Sequence, residues 1–331
     1  MKPSGTDKTE TRISFVDPIT KHPLRREGDT LVNSHTGAVV AEFVTGLSRF
    51  VTPEENYAES FALQWKRWDR IRKDAYTPGF GLAETIRNRT RFDEYDTVGK
   101  TLLECGSGGG DDTAVLLTWP FAEIHSFDIS TSVERAAEIL NDDRLVISQA
   151  SILEIPYPDE SFDFVYCHRV LQHTPDPVQS LRCVCRKVKP GGILFAHSYK
   201  RSWRWMSEWR YKYRWLTRHL PHTWIFRYVD TVGTPLHYVN RVLYRVPVAK
   251  HLAYHFLPFF KWPEGQEGSS LSEKQIIELE KCNTFDAMTP WHDHPMTSRT
   301  FRSTIESEGF EIQHMQDPPH SPLWCTARRS D

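Results

Sequence analysis

The chemistry of this chain concentrates where a glycine loop meets two acids and two histidines. Glu104-x-Gly106-x-Gly108-x-Gly110 lies between an apolar run, Thr101-Leu-Leu-Glu-Cys105, and a helix signal that opens on Asp111 and Asp112. Alternating glycines let backbone approach a ligand without a Cβ penalty. Asp128 follows Glu104 by 24 residues, close to the spacing at which an acid accepts from ribose hydroxyls. His168 and His173 come just after the apolar run Phe162–Cys167. Histidine titrates near neutral pH, so either could take a proton from an attacking group, or serve only to brace the loop. A second polar cluster is Trp291-His292-Asp293-His294. It reads as substrate-facing or as a solvated loop. His-x-His is a possible metal pair, but no third ligand is evident, so no metal is assigned.

Charge decides which ligand suits the loop. A dinucleotide fingerprint would place its third glycine at 111, where Asp111 stands. Asp111 and Asp112 at a helix start would repel a diphosphate where the helix dipole should attract it. S-adenosylmethionine carries a sulfonium and an ammonium and no phosphate. Glu104 is placed to orient the ammonium and Asp128 to hold the ribose.

The elements that position these residues follow from alternating strand and helix signals over residues 100–200. Apolar runs at 101–105, 123–127, 144–148, 162–167 and 193–196 are separated by capped helical segments, as at Asp176-Pro177. That alternation means βαβ units and a mostly parallel sheet, with ligands at the carboxyl ends of the strands.

Five stretches then resemble a class I S-adenosylmethionine-dependent methyltransferase. They are Leu103–Gly110, Phe127-Asp-Ile-Ser130, Ile155–Asp163, Arg169-Val-Leu-Gln-His173 and Val188-Lys-Pro-Gly-Gly192. The resemblance implies an α/β fold: a Rossmann-like seven-stranded, mostly parallel sheet in three αβα layers. It places Gly106, Gly108 and Gly110 along the methionine moiety, Asp128 on the ribose, Ile129 against the adenine, and His168 after the fourth strand. Ser151, with Ile152 beside it, stands where the family commonly has an acid facing the adenine amino group. A methyltransferase-like scaffold without catalysis, or an enzyme using the same cofactor for other chemistry, are the rival readings.

The flanks divide the rest of the chain. Residues 1–51 read as a small β cap. Its Asp17-Pro-Ile-Thr20 and Asn33-Ser-His-Thr36-Gly37 resemble a zinc ribbon with all four cysteines replaced. Residues 52–99 read as a helical segment starting at Thr52-Pro53, with Tyr57, Phe61, Trp65 and Trp68 on one face. Tyr57 and Trp65 either close over the cofactor or pack in the core. Residues 100–199 are the cofactor-binding core, 200–283 an aromatic and basic helical lid, and 284–331 the strands that complete the sheet.

Between Tyr199 and Tyr228 stand eight Lys/Arg against one acid, Glu208. Trp205, Trp209, Tyr213, Leu216 and Leu220 share one helical face, and Arg210, Arg214 and Arg218 another. The segment reads as a packed lid, as a peripheral contact with anionic membrane, or as a clamp on an anionic substrate. Over the whole chain charge is balanced, 41 Lys/Arg against 43 Asp/Glu, which argues against nucleic acid as a partner. The expected acceptor is a small molecule or glycan. Scattered cysteines without C-x-x-C, and no apolar leader or span, predict a cytoplasmic protein, with the inner membrane face as its possible surface.

Overall fold

A computed structural model describes residues 13–74, 81–261, 271–319 and 322–331, and the side chains of residues 69–74 are outside the description. The strands are β1 (Leu24–Glu27), β2 (Thr30–Asn33), β3 (Val39–Val44), β4 (Leu47–Arg49), β5 (Thr101–Cys105), β6 (Glu123–Asp128), β7 (Leu145–Gln149), β8 (Phe162–Cys167), β9 (Val188–Ser198), β10 (Phe310–Gln316) and β11 (Leu323–Arg329). The helices are α1 (Glu59–Asp74), α2 (Leu82–Thr90), α3 (Asp111–Leu116), α4 (Val133–Ile139), α5 (Pro177–Cys185), α6 (Trp203–Met206), α7 (Trp209–Thr217), α8 (His222–Leu243), α9 (Pro247–Phe256), α10 (Glu273–Met288) and α11 (Ser298–Ser307).

One sheet runs β1-β2-β3-β4-β7-β6-β5-β8-β9-β11-β10. The expected seven strands are its β7-to-β10 part, parallel from β7 to β9 and antiparallel at β11 and β10. The count is eleven rather than seven because the cap does not stand apart. β4 pairs in parallel with β7, Ser48 opposite Ser148, and so covers a sheet edge that would otherwise expose unpaired backbone. Side chains alternate faces along β5. Leu103 and Cys105 join the core under α5 and α11, and Leu102 joins the core against α2 and α3. That alternation is what makes three layers.

In the cap, the positions resembling a zinc ribbon are linked by hydrogen bonds. Asn33 Nδ2 donates to Asp17 Oδ2 at 2.7 Å and to Thr20 Oγ1 at 2.9 Å. Asp17 and Asn33 also accept backbone N–H groups of their own turns. Burial pushes the Asp17 carboxyl up, but these donors outweigh it and hold it at about 2.

One helix start differs from expectation. Thr52-Pro53 opens only a single turn over Pro53–Glu55, with the Thr52 N–H donating to Glu55 at 2.7 Å, and α1 begins at Glu59. Glu59 in turn accepts the Thr131 hydroxyl at 2.8 Å, tying α1 to the chain before α4. The helix starting at Ser272 also runs past the expected division at 283/284, to Met288.

The lid has its own core. Trp68, Trp209, Ile225, Val229, Cys282 and Phe285 pack together from α1, α7, α8 and α10. Its polarity departs from the expected one in part: Trp209 of the expected apolar face stays inside. Arg210 pairs with Glu208, Arg214 pairs with Asp293, and both arginines turn inward. Tyr213 and Leu216 are exposed instead. α6 ends at Met206 and α7 starts afresh at Trp209, so no single helical phase runs through the segment. The carboxylates that draw the arginines inward include Asp293, distant in sequence. In a urea titration, Arg214→Met should lose about 3–5 kcal/mol, because the Asp293 carboxylate is then buried without its cation. Adding Asp293→Leu should recover much of that loss.

Candidate active site

The glycine loop is clamped to the end of β6. The N–H groups of Gly106 and Ser107 both donate to the Phe127 carbonyl, at 2.8 and 3.0 Å. The Gly108 N–H donates to Asp128 Oδ2 at 2.9 Å, while Asp128 Oδ1 accepts the Ser130 N–H and hydroxyl. Gly106 has φ +88°, and a Cβ there would fall 2.1 Å from Val170. A Cβ on Gly108 would press the Trp65 indole at 3.0 Å. So the loop must be glycine, with α1 roofing it.

A cavity of about 400 Å³ opens above this loop at the carboxyl ends of the strands. Gly106, Gly108, Asp128, Ile129, Ile152, His168, His173, Tyr57 and Trp65 line it, so these expected site residues meet in one place. Glu104, Gly110 and Ser151 are off its wall. Glu104 is fully buried behind the loop, where Oε2 accepts the hydroxyls of Thr113 and Ser126 at 2.6 Å and Oε1 has no partner. Burial pushes its carboxyl up to about 8. Gly110 precedes α3 and packs on Ala136, and the Ser151 hydroxyl accepts the Leu153 N–H.

Trp291, His292 and His294 are also off the wall. Trp291 packs on His219 and under Arg218. His292 meets the Tyr57 ring edge-on at 5.2 Å, and its carbonyl accepts from His173 Nδ1 at 3.2 Å. The segment therefore backs His173 rather than facing a ligand.

The two histidines are set differently. His168 Nδ1 lies 2.7 Å from Asp112 Oδ2, and the Arg89 guanidinium donates to Nε2 at 3.1 Å. Nδ1 therefore carries the proton and the Nε2 lone pair is engaged. Burial drives the imidazole down to about 4 against the opposing pull of Asp112. Burial raises the Asp112 carboxyl, but the adjoining His168 and Arg169 outweigh it and hold it at about 2. His173 donates through Nδ1, which leaves Nε2 as an acceptor on a cavity-lining ring. Burial lowers its pKa as well, with Asp293 and Asp286 opposing.

Sequence reading passed over Arg89, His197, Tyr199 and Asp286, which line the cavity. Asp112, Arg169 and Arg210, noted in the sequence but not assigned to the site, line it too. Only Arg169 gave a local sign, standing directly after His168. It holds φ +63°, rare for a side chain other than glycine.

Comparison with known proteins places the central strands. Residues 103–196 match the family model for a methyltransferase domain. The chain is 37% identical to 27-O-demethylrifamycin SV methyltransferase of Amycolatopsis mediterranei over 103 residues, 29% of this chain and 37% of that one. It is 27% identical to the ubiquinone biosynthesis O-methyltransferase of Pseudomonas fluorescens over 158 residues, 44% of this chain and 61% of that one. The chain thus spans 37% and 61% of the lengths of these two curated relatives. An S-adenosylmethionine dependent methyltransferase from Mesorhizobium loti aligns with TM-score 0.44 at 15% identity, over 72% of this chain and 95% of that one. Residues 103–196 are a methyltransferase domain, and their motifs resemble those of class I S-adenosylmethionine-dependent enzymes.

The cavity fits that cofactor on its own terms. Asp112 and Asp128 put carboxylates on its wall, and the Glu104 Oε1 behind them is unpartnered. A cation is favoured there and a diphosphate is not. Asp128→Ala should weaken binding of S-adenosylhomocysteine by about 1–3 kcal/mol in calorimetry, the range for buried polar groups left unmatched. Glu104 is held protonated near pH 7, and a cationic ligand favours its carboxylate. S-adenosylmethionine binding should therefore release a proton, seen as a dependence of the measured heat on buffer ionisation, and tighten as pH rises toward 8. Glu104→Gln should remove both effects.

Proposed function

We propose that this chain transfers a methyl group from S-adenosylmethionine to an oxygen or nitrogen of a small-molecule, sugar or secondary-metabolite acceptor that carries a negative charge. The observation that carries the proposal is that one cavity holds charges of both signs. Asp128 and Asp112 line it beside the glycine loop, and Arg89, Arg169 and Arg210 line it together with Asp286. Tyr57 feels Asp128, and Tyr199 feels Asp286 and then Arg169. The arginines offer an anionic acceptor a counterpart, as the carboxylates offer one to the cofactor's cation. The relative from Pseudomonas is named an O-methyltransferase, which favours oxygen.

S-adenosylmethionine supplies an activated methyl group on a positively charged sulfur. The residues of this chain then have to hold an acceptor in line and accept its proton. Alignment alone can supply several kcal/mol. His173 is the general base: its Nδ1–H is committed to the His292 carbonyl and its Nε2 lone pair is available. The Phe61 ring, 4.8 Å away, and the Tyr199 ring, 5.6 Å away, fix its plane. His168 positions rather than reacts, since Asp112 and Arg89 occupy both its nitrogens.

The test is transfer of a labelled methyl group to a panel of phosphorylated and carboxylated sugars and phenols, beside their neutral analogues. Label should appear on charged acceptors. His173→Gln should cut the rate by about 10²–10⁴-fold and leave S-adenosylhomocysteine affinity unchanged. Because the His173 pKa lies below its ordinary value, kcat/KM should hold as pH falls through 6.5 and decline only beneath that. Arg169→Gln should raise KM with kcat little altered. A chain that binds no S-adenosylmethionine in calorimetry would overturn the proposal.

A further inference from the structure

The outer face of the lid carries an apolar stripe that no described residue covers. On α8, Ile225, Val229, Gly233, His237 and Asn240 form the buried side. The opposite side presents Trp224, 64% exposed, with Tyr238 and Val242. On α9, Val248, Leu252 and Phe256 recur at four-residue spacing and are 70, 54 and 56% exposed. Four-residue spacing places them on one helix face. α7 joins this surface directly. The Tyr213 hydroxyl donates to the Phe256 carbonyl at 3.2 Å, and the Lys212 ammonium lies 4.1 Å above the Phe256 ring. Tyr213, Leu216 and Trp215 are exposed beside it, Trp215 at 67%. The stripe is thus continuous from α7 along α9 to Val246 and Val242 at the turn into α8.

Charge identifies what this face meets. Over residues 209–256 there are eight Lys/Arg (210, 212, 214, 218, 227, 241, 245, 250) and one acid, Asp230. Asp230 is already paired with Arg67 at 2.6 Å. Arg210 and Arg214 turn inward and Arg241 pairs with Glu273 at 2.7 Å, but Arg227, Arg245 and Lys250 remain exposed around the stripe. A second copy of the chain would bring this positive rim against its own likeness. An anionic bilayer matches both features: its interface takes up tryptophan and aliphatic side chains, and its headgroups attract the rim. Among the described residues no helix is long and apolar enough to cross a membrane, so the contact lies on the surface.

We infer that α7, α8 and α9 form a peripheral docking face for an anionic lipid bilayer, with Trp215, Val248, Leu252 and Phe256 entering the interface. The inference stands apart from the methyl-transfer reading, since it uses no residue of the cavity. The test is co-sedimentation of the full chain with phosphatidylcholine vesicles, with and without phosphatidylglycerol, followed by tryptophan emission. Binding should require phosphatidylglycerol, weaken with added salt, and shift the emission to the blue. Val248→Glu with Leu252→Glu should reduce partitioning by at least about tenfold, because two carboxylates then enter an apolar, anionic layer. Arg245→Gln and Lys250→Gln should each cost about fivefold. All four positions are exposed, and unchanged thermal melting would show that the fold is kept. Equal binding to both vesicle types, partitioning untouched by the paired glutamates, or no binding at all would overturn the inference. So would a dimer in sedimentation velocity that the glutamates dissolve while vesicles remain unbound.

Discussion

The site depends on how the backbone after β5 is tied to the end of β6. Two N–H groups go to the Phe127 carbonyl and a third goes to the Asp128 carboxylate. A loop of alternate glycines has high conformational freedom, and these three bonds are what convert it into a surface. They bring the carboxylate of Asp128 to the cavity wall and open the roof to Trp65. Asp128 has two tasks as a result, holding the loop and presenting negative charge. The second is costly, since burial raises its pKa, and a ligand cation relieves that cost.

The same economy extends outward from the loop. Glu104 braces α3 and β6 through Thr113 and Ser126. Asp112, next to Thr113 on α3, engages Tyr166 and His168. Three acids are therefore gathered in a small buried volume, and each is satisfied differently. Asp112 is ionised against its partners, Glu104 is protonated by burial, and Asp128 is pushed up by burial against the bonds it accepts from Ser130 and Gly108. A neutral or anionic ligand would leave this set frustrated, so the cluster selects for positive charge before any shape is considered.

Much of this was legible in the residues. The β5 to β9 alternation, the glycine loop, Asp128 and His173 all came from local pattern, because each is dictated by chain direction and short spacing. The misses share a different origin. Glu104 lies two residues before the first loop glycine, yet strand alternation turns it away from the cavity. Trp291, His292 and His294 look reactive together, but the cavity wall does not include them: the His292 carbonyl accepts from His173, Trp291 packs on His219 and His294 on His292. Arg89 and Asp286 reach the wall from helices more than a hundred residues apart along the chain, which no local pattern reveals. The eleven-stranded sheet was missed for the same reason: β4 pairing with β7 joins segments about a hundred residues apart.

The lid shows how far a helical wheel can mislead when partners are remote. Its arginines read as an outward stripe because charge usually faces water. Here Glu208 lies immediately before α7 and Asp293 lies beyond α10, and together they make the inward side the lower-energy place for Arg210 and Arg214. With the cations turned in, Trp209 of the same helix still packs inside, while Trp215 and Leu216 lie exposed. A helix packed only for stability would gain by the opposite arrangement, since apolar burial stabilises and charge burial costs. Arg210 on the cavity wall is the compensation on the inner side, and the outer side, with its exposed tryptophans and surviving cations, is where the remaining compensation has to be found.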